Sequence, residues 1–495
     1  MGAVAAAVLV AIPIVYLAVR AGERGPSVVW STVWTARTAA LLARSVALAG
    51  VVAVGCTVVG VAGAWLVTFT DLPGRRVWRV ALALPLALPS YVAAWSWIGW
   101  QPGLAGFWGA ALVLVTVSYP YVYLPVLGAL GRVDAALPEV GRACGWGPWR
   151  ATLGLVLRQV RIATVSGAVL VVLYVLGEFG AVSIMRTETL TQAIYESYRS
   201  SFDRTPAAIL GGLLIVVAAA PLALAVRHGE GEHAARVGGG ARRRPTVLRL
   251  GTVRLPLLAG PAVLLGAALG VPAVTLVRWS SQGSSRARWS EVADAAVSTL
   301  WLSVLAAVAT VAVALPVGYL SARHPGRLSR RVTTVAYAGH ALPGIAVSLS
   351  LVFFGIRYLN PLYQRTPLLV GAYVVLFLSL AIGAVHNAVA QAPPALDDVA
   401  RSLGCSSWGA WRRVTLPLCT PGLAAAATVV CIATMKELPA TLLLRPIGTD
   451  TLATRLWSRT DAAGYAAAAP FAAALVLVAA VPTAVLTGLG LRERR

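Results

Sequence analysis

A single lysine, Lys436, occurs in 495 residues, and it stands between Met435 and Glu437. A phosphate-binding P-loop needs a glycine–lysine pair followed by serine or threonine, so this chain carries none. Charge is scarce as well. Only 12% of residues are Asp, Glu, Lys or Arg, against about 25% in a soluble domain, too little polar surface to cover a water-exposed fold. Cysteine excludes two further classes. Cys56, Cys144, Cys405, Cys419 and Cys431 are odd in number and contain no Cys-x-x-Cys pair, so neither a disulfide framework nor a thiolate metal site is indicated. The widest polar stretch, 227–254, is far below the size of a folded domain.

What remains is apolar: 58% of the chain is hydrophobic. A membrane span needs roughly 20 mostly apolar residues, and twelve such runs are expected at 2–19, 38–69, 80–100, 109–130, 163–185, 206–226, 255–277, 293–320, 333–356, 367–390, 422–443 and 466–490. The first has no basic residue before it and no clear small-x-small cleavage site, which fits a retained span. The net charge of +23 is dispersed in short clusters between the runs, as at Arg75-Arg76, Arg242-Arg243-Arg244 and Arg330-Arg331. That pattern excludes a nucleic-acid surface and follows the positive-inside rule. With the N-terminus inside, 25 of the 41 basic residues fall in inner segments, an asymmetry that points to both termini in the cytoplasm.

The chain repeats itself. Residues 1–226 form a first half, the Gly- and Arg-rich segment 227–254 a flexible cytoplasmic linker, and 255–495 a second half. Pro73-Gly74-Arg75 matches Pro325-Gly326-Arg327, and Leu88-Pro89 matches Leu342-Pro343. Glu139 matches Asp398, Gly145 matches Gly404 and Glu178 matches Glu437, these three at a common spacing of 259. The expected fold is all-α and polytopic, with two parallel-repeat halves of six helices; internal symmetry of this kind marks transporters.

Two long inner loops carry the most specific pattern. The first runs from Glu139 through Gly145 to Leu157 and Arg158; the second runs from Asp398 and Ala400 through Gly404 to Leu416 and Pro417. In each, helix-forming residues precede a glycine, which permits the sharp turn between two short helices, and an apolar stretch leads into the next span. Both loops resemble the acidic-Ala-Ala, glycine, Leu-Pro loop of binding-protein-dependent ABC import permeases. The second copy matches well, with Asp398, Ala400, Gly404, Leu416 and Pro417 in place. The first has Val140 and Gly141 in place of the alanine pair and Arg158 in place of the proline. The resemblance implies a type I importer fold in a bacterial inner membrane. It also implies docking of two ABC ATPase subunits on these loops, ATP bound only by those partners, and delivery of solute by an extracytoplasmic binding protein.

Gly177-Glu178-Phe179-Gly180-Ala181, Met435–Thr441 and Asp450–Thr454 further resemble fused ferric-iron-type permeases. Thiamine permeases share that architecture, and polyamine or phosphonate transport stays open. Glu178 and Glu437 sit within apolar runs, where an ionisable group faces protein or water. They belong either to the translocation path or its outer gate, or to internal hydrogen bonds. His340 and His386 read as packing or hydrogen-bonding residues rather than metal ligands, and Asp450 and Asp461 as isolated loop acids. An ion-driven secondary transporter would show the repeats without paired glycine loops, and a lipid-modifying enzyme would need a polar cluster that the scattered acids do not form.

Overall fold

The computed structural model describes residues 2–131, 141, 143–147, 154, 158–200, 203–229, 247–281, 289–339 and 342–492. Among them the regular structure is helical apart from one isolated parallel bridge, Thr70 to Leu248. Each of the twelve apolar runs holds an apolar helix. By length and composition eight of these helices can cross a membrane: Gly2–Gly22, Ala36–Phe69, Phe107–Leu130, Thr205–Ala223, Gly251–Ser281, Trp289–Arg323, Thr366–Gln391 and Ser407–Met435. A ninth candidate is broken, with Arg75–Ala87 and Ser90–Trp100 meeting at 91°. The remaining three, Arg161–Gly177, Gly344–Tyr358 and Tyr465–Ala480, are shorter.

The breaks follow from local chemistry. A proline disfavours helical geometry in the residue before it and lacks an N–H to extend the ladder. Leu88, before Pro89, is accordingly extended (φ −80°, ψ 126°). Pro89 and Pro343 themselves share nearly one extended conformation (φ −62°, ψ 137° and φ −61°, ψ 133°), and a new helix starts at Ser90 and at Gly344. The run expected at 333–356 is therefore two elements: an amphipathic helix, Arg327–Ala338, and the span Gly344–Tyr358. Likewise 163–185 divides at Glu178 and 422–443 at Lys436–Leu438, each break followed by a short helix, Gly180–Ile184 or Pro439–Leu444.

Packing divides the chain into two compact units, one of residues 1–35, 193–215 and 283–495, the other of 36–192 and 216–282. In the first, Trp289–Arg323 lies along Thr366–Gln391 and Leu416–Met435, while Gly2–Gly22 packs on Trp289–Arg323, Arg327–Ala338 and Gly344–Tyr358. Its core is rich in small side chains, including Ala3, Ala6, Ala307 and Ala314. Lipid supplies little hydrophobic drive between helices, so close approach and interhelical hydrogen bonds hold such bundles. A methyl group on Gly318 would meet Val385 Cγ1 at 2.5 Å. In the second unit Ala36–Phe69 packs against Pro120–Leu130 and Arg161–Gly177, and Val271–Ser281 lies on Ser90–Trp100.

The units do not follow the order of the halves along the chain, because the first helix of each half lies among helices of the other. Both are tied by the same device: Ser350 Oγ donates to the Pro13 carbonyl (2.8 Å), and Thr275 Oγ1 donates to the Ser96 carbonyl (3.2 Å), Ser96 and Ser350 being repeat partners. The end of the segment read as a flexible linker is held in place. Leu248 N donates to Phe69 O (2.8 Å), Asp71 N to Leu248 O (3.1 Å) and Leu250 N to Asp71 Oδ1 (2.9 Å).

Candidate functional site

The second glycine loop is a helix, a turn and a second helix. Helix Pro394–Ser402 ends at Gly404, whose φ of +89° lies in the left-handed region that side chains avoid. Cys405 N donates to Ala400 O (3.0 Å) and Gly404 N to Arg401 O (3.0 Å). These are the two bonds of a Schellman cap with glycine at its left-handed position. Ser406 then caps the next turn by accepting from Gly409 N (3.1 Å). One π-helical turn, Trp411–Thr415, leads into helix Leu416–Met435, with Pro417 in its first turn, where a missing N–H costs nothing.

The two faces of helix Pro394–Ser402 differ. Ala400 is buried, whereas Leu396, Val399 and Leu403 are exposed at helical spacing, Leu403 at 79%. Beyond the turn Trp408 is 66% exposed and stacks on Trp411 at 4.7 Å. Asp398 is exposed and pairs with Arg401 within the helix. The acid that ties the loop to the membrane body is its neighbour. Asp397 accepts from Thr415 Oγ1 (2.5 Å) and lies 3.7 Å from the Arg323 guanidinium, which also donates to Ala392 O (2.8 Å). Arg323 ends helix Trp289–Arg323, so one arginine joins the loop to a long span. Sequence reasoning weighed Asp398 for its match to a motif and passed over Asp397; the pair of adjacent acids was the available signal.

In the first loop, Glu139 and Leu157 lie outside the described residues. Gly145 is described: its φ is +80°, and Trp146 N donates to Gly141 O (3.0 Å), the counterpart of the Cys405–Ala400 bond. Both glycines thus close the same kind of turn.

Glu178 and Glu437 occupy the breaks after helices Arg161–Gly177 and Leu416–Met435. Glu178 is 8% exposed. Its Oε1 accepts from Ala181 N (2.9 Å) and from Ser90 Oγ (3.0 Å), and the Tyr174 side chain also bonds to it. Glu437 Oε1 accepts from Ala440 N (2.9 Å), and a methyl group on Gly344 would lie 3.0 Å from that oxygen. Since Gly344 is the repeat partner of Ser90, each carboxylate caps a short helix beside the first residue of the helix that follows a Leu-Pro break. Both acids therefore make internal hydrogen bonds at a helix break.

His386 Nδ1 lies 2.8 Å from Ser321 Oγ, while His340 is outside the described residues. Asp450 is not isolated: it pairs with Arg445 and with Arg455 (2.7 Å). Asp461 lies 3.9 Å from Arg199. Among the described residues no three His, Cys, Asp or Glu side chains come together as a metal site. The exposed apolar side chains of the second loop are suited to binding a protein.

The family model described as binding-protein-dependent transport system inner membrane component matches residues 57–228 and again 314–492. The Fe(3+)-transport system permease protein FbpB 2 of Haemophilus influenzae is 32% identical over 96% of this chain and 95% of its own length. The sulfate transport system permease protein CysW of Synechococcus elongatus is 26% identical over 38% of this chain and 74% of its own. Sulfate permease 2 of the Chlamydomonas reinhardtii chloroplast is 26% identical over 32% of this chain and 50% of its own.

Proposed function

This chain belongs to the binding-protein-dependent transport system inner membrane components, and from that premise we propose that it passes ferric iron across the membrane. It is the multi-pass, non-catalytic permease of an ABC importer, with two copies of the family domain in one polypeptide. ATP in such systems is hydrolysed by partner ATPases, and the solute arrives on a binding protein.

Two ATPase subunits bind the inner face, one on the loop around Gly145 and one on the loop around Gly404, both termini being cytoplasmic. Leu396, Val399, Leu403 and Trp408 supply an apolar contact surface for the second subunit, and desolvated aliphatic and aromatic anchors carry most of the energy in such contacts. Closure of the ATPases on ATP moves the loops, and the Asp397–Arg323 contact passes that movement to helix Trp289–Arg323. The pathway then alternates between its two faces. The two loops and their glycines are the docking elements, with Glu139, Leu157, Asp398, Ala400, Leu416 and Pro417 beside them.

Iron rests on a single observation: the relative named for Fe(3+) transport aligns over nearly the whole of both chains, two halves included. The sulfate permeases align over little more than a third of this chain at most. The test is reconstitution with the partner ATPases and the cognate binding protein. Ferric-loaded binding protein is expected to stimulate ATP hydrolysis several-fold and to deliver labelled iron into the vesicles. Stimulation by sulfate or thiamine with none by ferric iron would overturn the iron reading and leave the permease reading intact.

A further inference from the structure

The repeated Pro-Gly-Arg turns have no part in the transport reading, yet each opens an arginine-rich helix. In helix Arg327–Ala338 the apolar side chains Val332 and Ala336 are buried in the core that includes Ala3, Ala6 and Val10. The opposite face leaves Arg327, Arg330 and Arg331 exposed, together with Leu328 at 63% and Tyr337 at 40%. None of the three arginines forms an ion pair with a described carboxylate. In the other unit, helix Arg75–Ala81 follows Gly74 and exposes Arg76, Val77 (70%) and Val80 (52%). There Arg75 and Arg76 line a cavity of about 450 Å³ with Asp71, Leu72, Gly74 and Val247. The Asp71 carboxylate in that cavity already accepts from Leu250 N.

We propose that these two segments bind the anionic headgroups of phospholipids in the leaflet on the glycine-loop side. Exposed apolar side chains beside arginines that have no ion-pair partner among the described residues would be costly against water, but they match a bilayer surface: the apolar groups enter the acyl boundary and the guanidinium groups meet phosphate. A guanidinium offers several donors in a fixed fork that fits phosphate oxygens. For Arg327–Ala338 the side of the membrane follows from the neighbouring chain. Arg327–Ala338 begins four residues after Arg323, which itself contacts Ala392 and Asp397 of the glycine loop. A soluble partner of the same charge would leave Leu328 and Val77 in water, so a lipid surface is the occupant that covers both features. The inference rests on the chain spanning a membrane and is independent of which solute it carries.

The experiment compares the intact importer in bilayer discs of phosphatidylcholine with and without phosphatidylglycerol, counting retained lipid by native mass spectrometry. The parent should retain phosphatidylglycerol selectively. Replacing Arg327, Arg330 and Arg331 together by Gln should weaken that retention on the order of tenfold, and the same three changed to Lys should keep most of it. The separate pair Arg75→Gln and Arg76→Gln should remove a second bound lipid. A parent that holds phosphatidylglycerol no better than phosphatidylcholine overturns the proposal without any variant. So does a folded triple Gln variant that retains it like the parent.

Discussion

Gly404→Asp is expected to abolish substrate-stimulated ATP hydrolysis while the chain still inserts and accumulates. At φ +89° any side chain strains the backbone, at a cost on the order of 1 kcal/mol or more. Space is not the obstacle, since a Cβ placed there would have no neighbour within 4 Å. The strain falls on Gly404, which donates one bond of the Schellman cap and whose left-handed conformation lets Cys405 N donate the other. Relieving it by rotating the turn moves Leu396, Val399 and Leu403 away from the surface they are proposed to meet. Aspartate adds a negative charge to a contact whose exposed side chains are largely apolar. Gly145→Asp should act in the same direction and less severely, because the second loop keeps the alanine and proline that the first lacks. Basal and stimulated ATPase rates in reconstituted membranes, with membrane abundance as the control, measure both.

Glu178→Leu is expected to lower the stability of the chain by several kcal/mol, well beyond Glu178→Gln. Removing the carboxylate strips acceptors from Ala181 N, Ser90 Oγ and the Tyr174 side chain at one stroke, and each buried donor left without a partner costs about 1–3 kcal/mol. Glutamine keeps one oxygen at the same reach, so it can still cap helix Gly180–Ile184. Thermal unfolding of the two purified variants in detergent orders them. Equal loss for Gln and Leu would show that the negative charge, and not the hydrogen bonds, is what the site needs.

Much of this architecture is legible in the residues. Long apolar runs give the helices directly, and the matched landmarks from Pro73 to Glu437 give the duplication, because a repeated turn or cap must keep its residue type at a fixed spacing. Gly145 and Gly404 could be read as turn residues because positive φ selects glycine. Other features escape a one-dimensional reading. Apolarity alone does not tell a straight span from one that breaks, so 80–100 and 333–356 looked continuous although Pro89 and Pro343 interrupt the helical ladder. Nothing in a run of Ala, Val and Leu specifies its neighbours, which hid the placement of Gly2–Gly22 and Val271–Ser281 among helices of the other half. Arg323 and Asp397 lie 74 positions apart, and only the folded chain brings them to 3.7 Å.

The central claim is that this chain carries two ATPase subunits, one at each glycine turn, as the membrane subunit of an importer. The most direct test is the mass of the assembly extracted from cells that produce the permease with its ATPase and purified on a tag carried by the permease. One permease chain with two ATPase copies is the predicted mass, falling to one copy when Gly404 is replaced by Asp. A permease that is purified alone and still transports in vesicles lacking any ATPase would contradict the account.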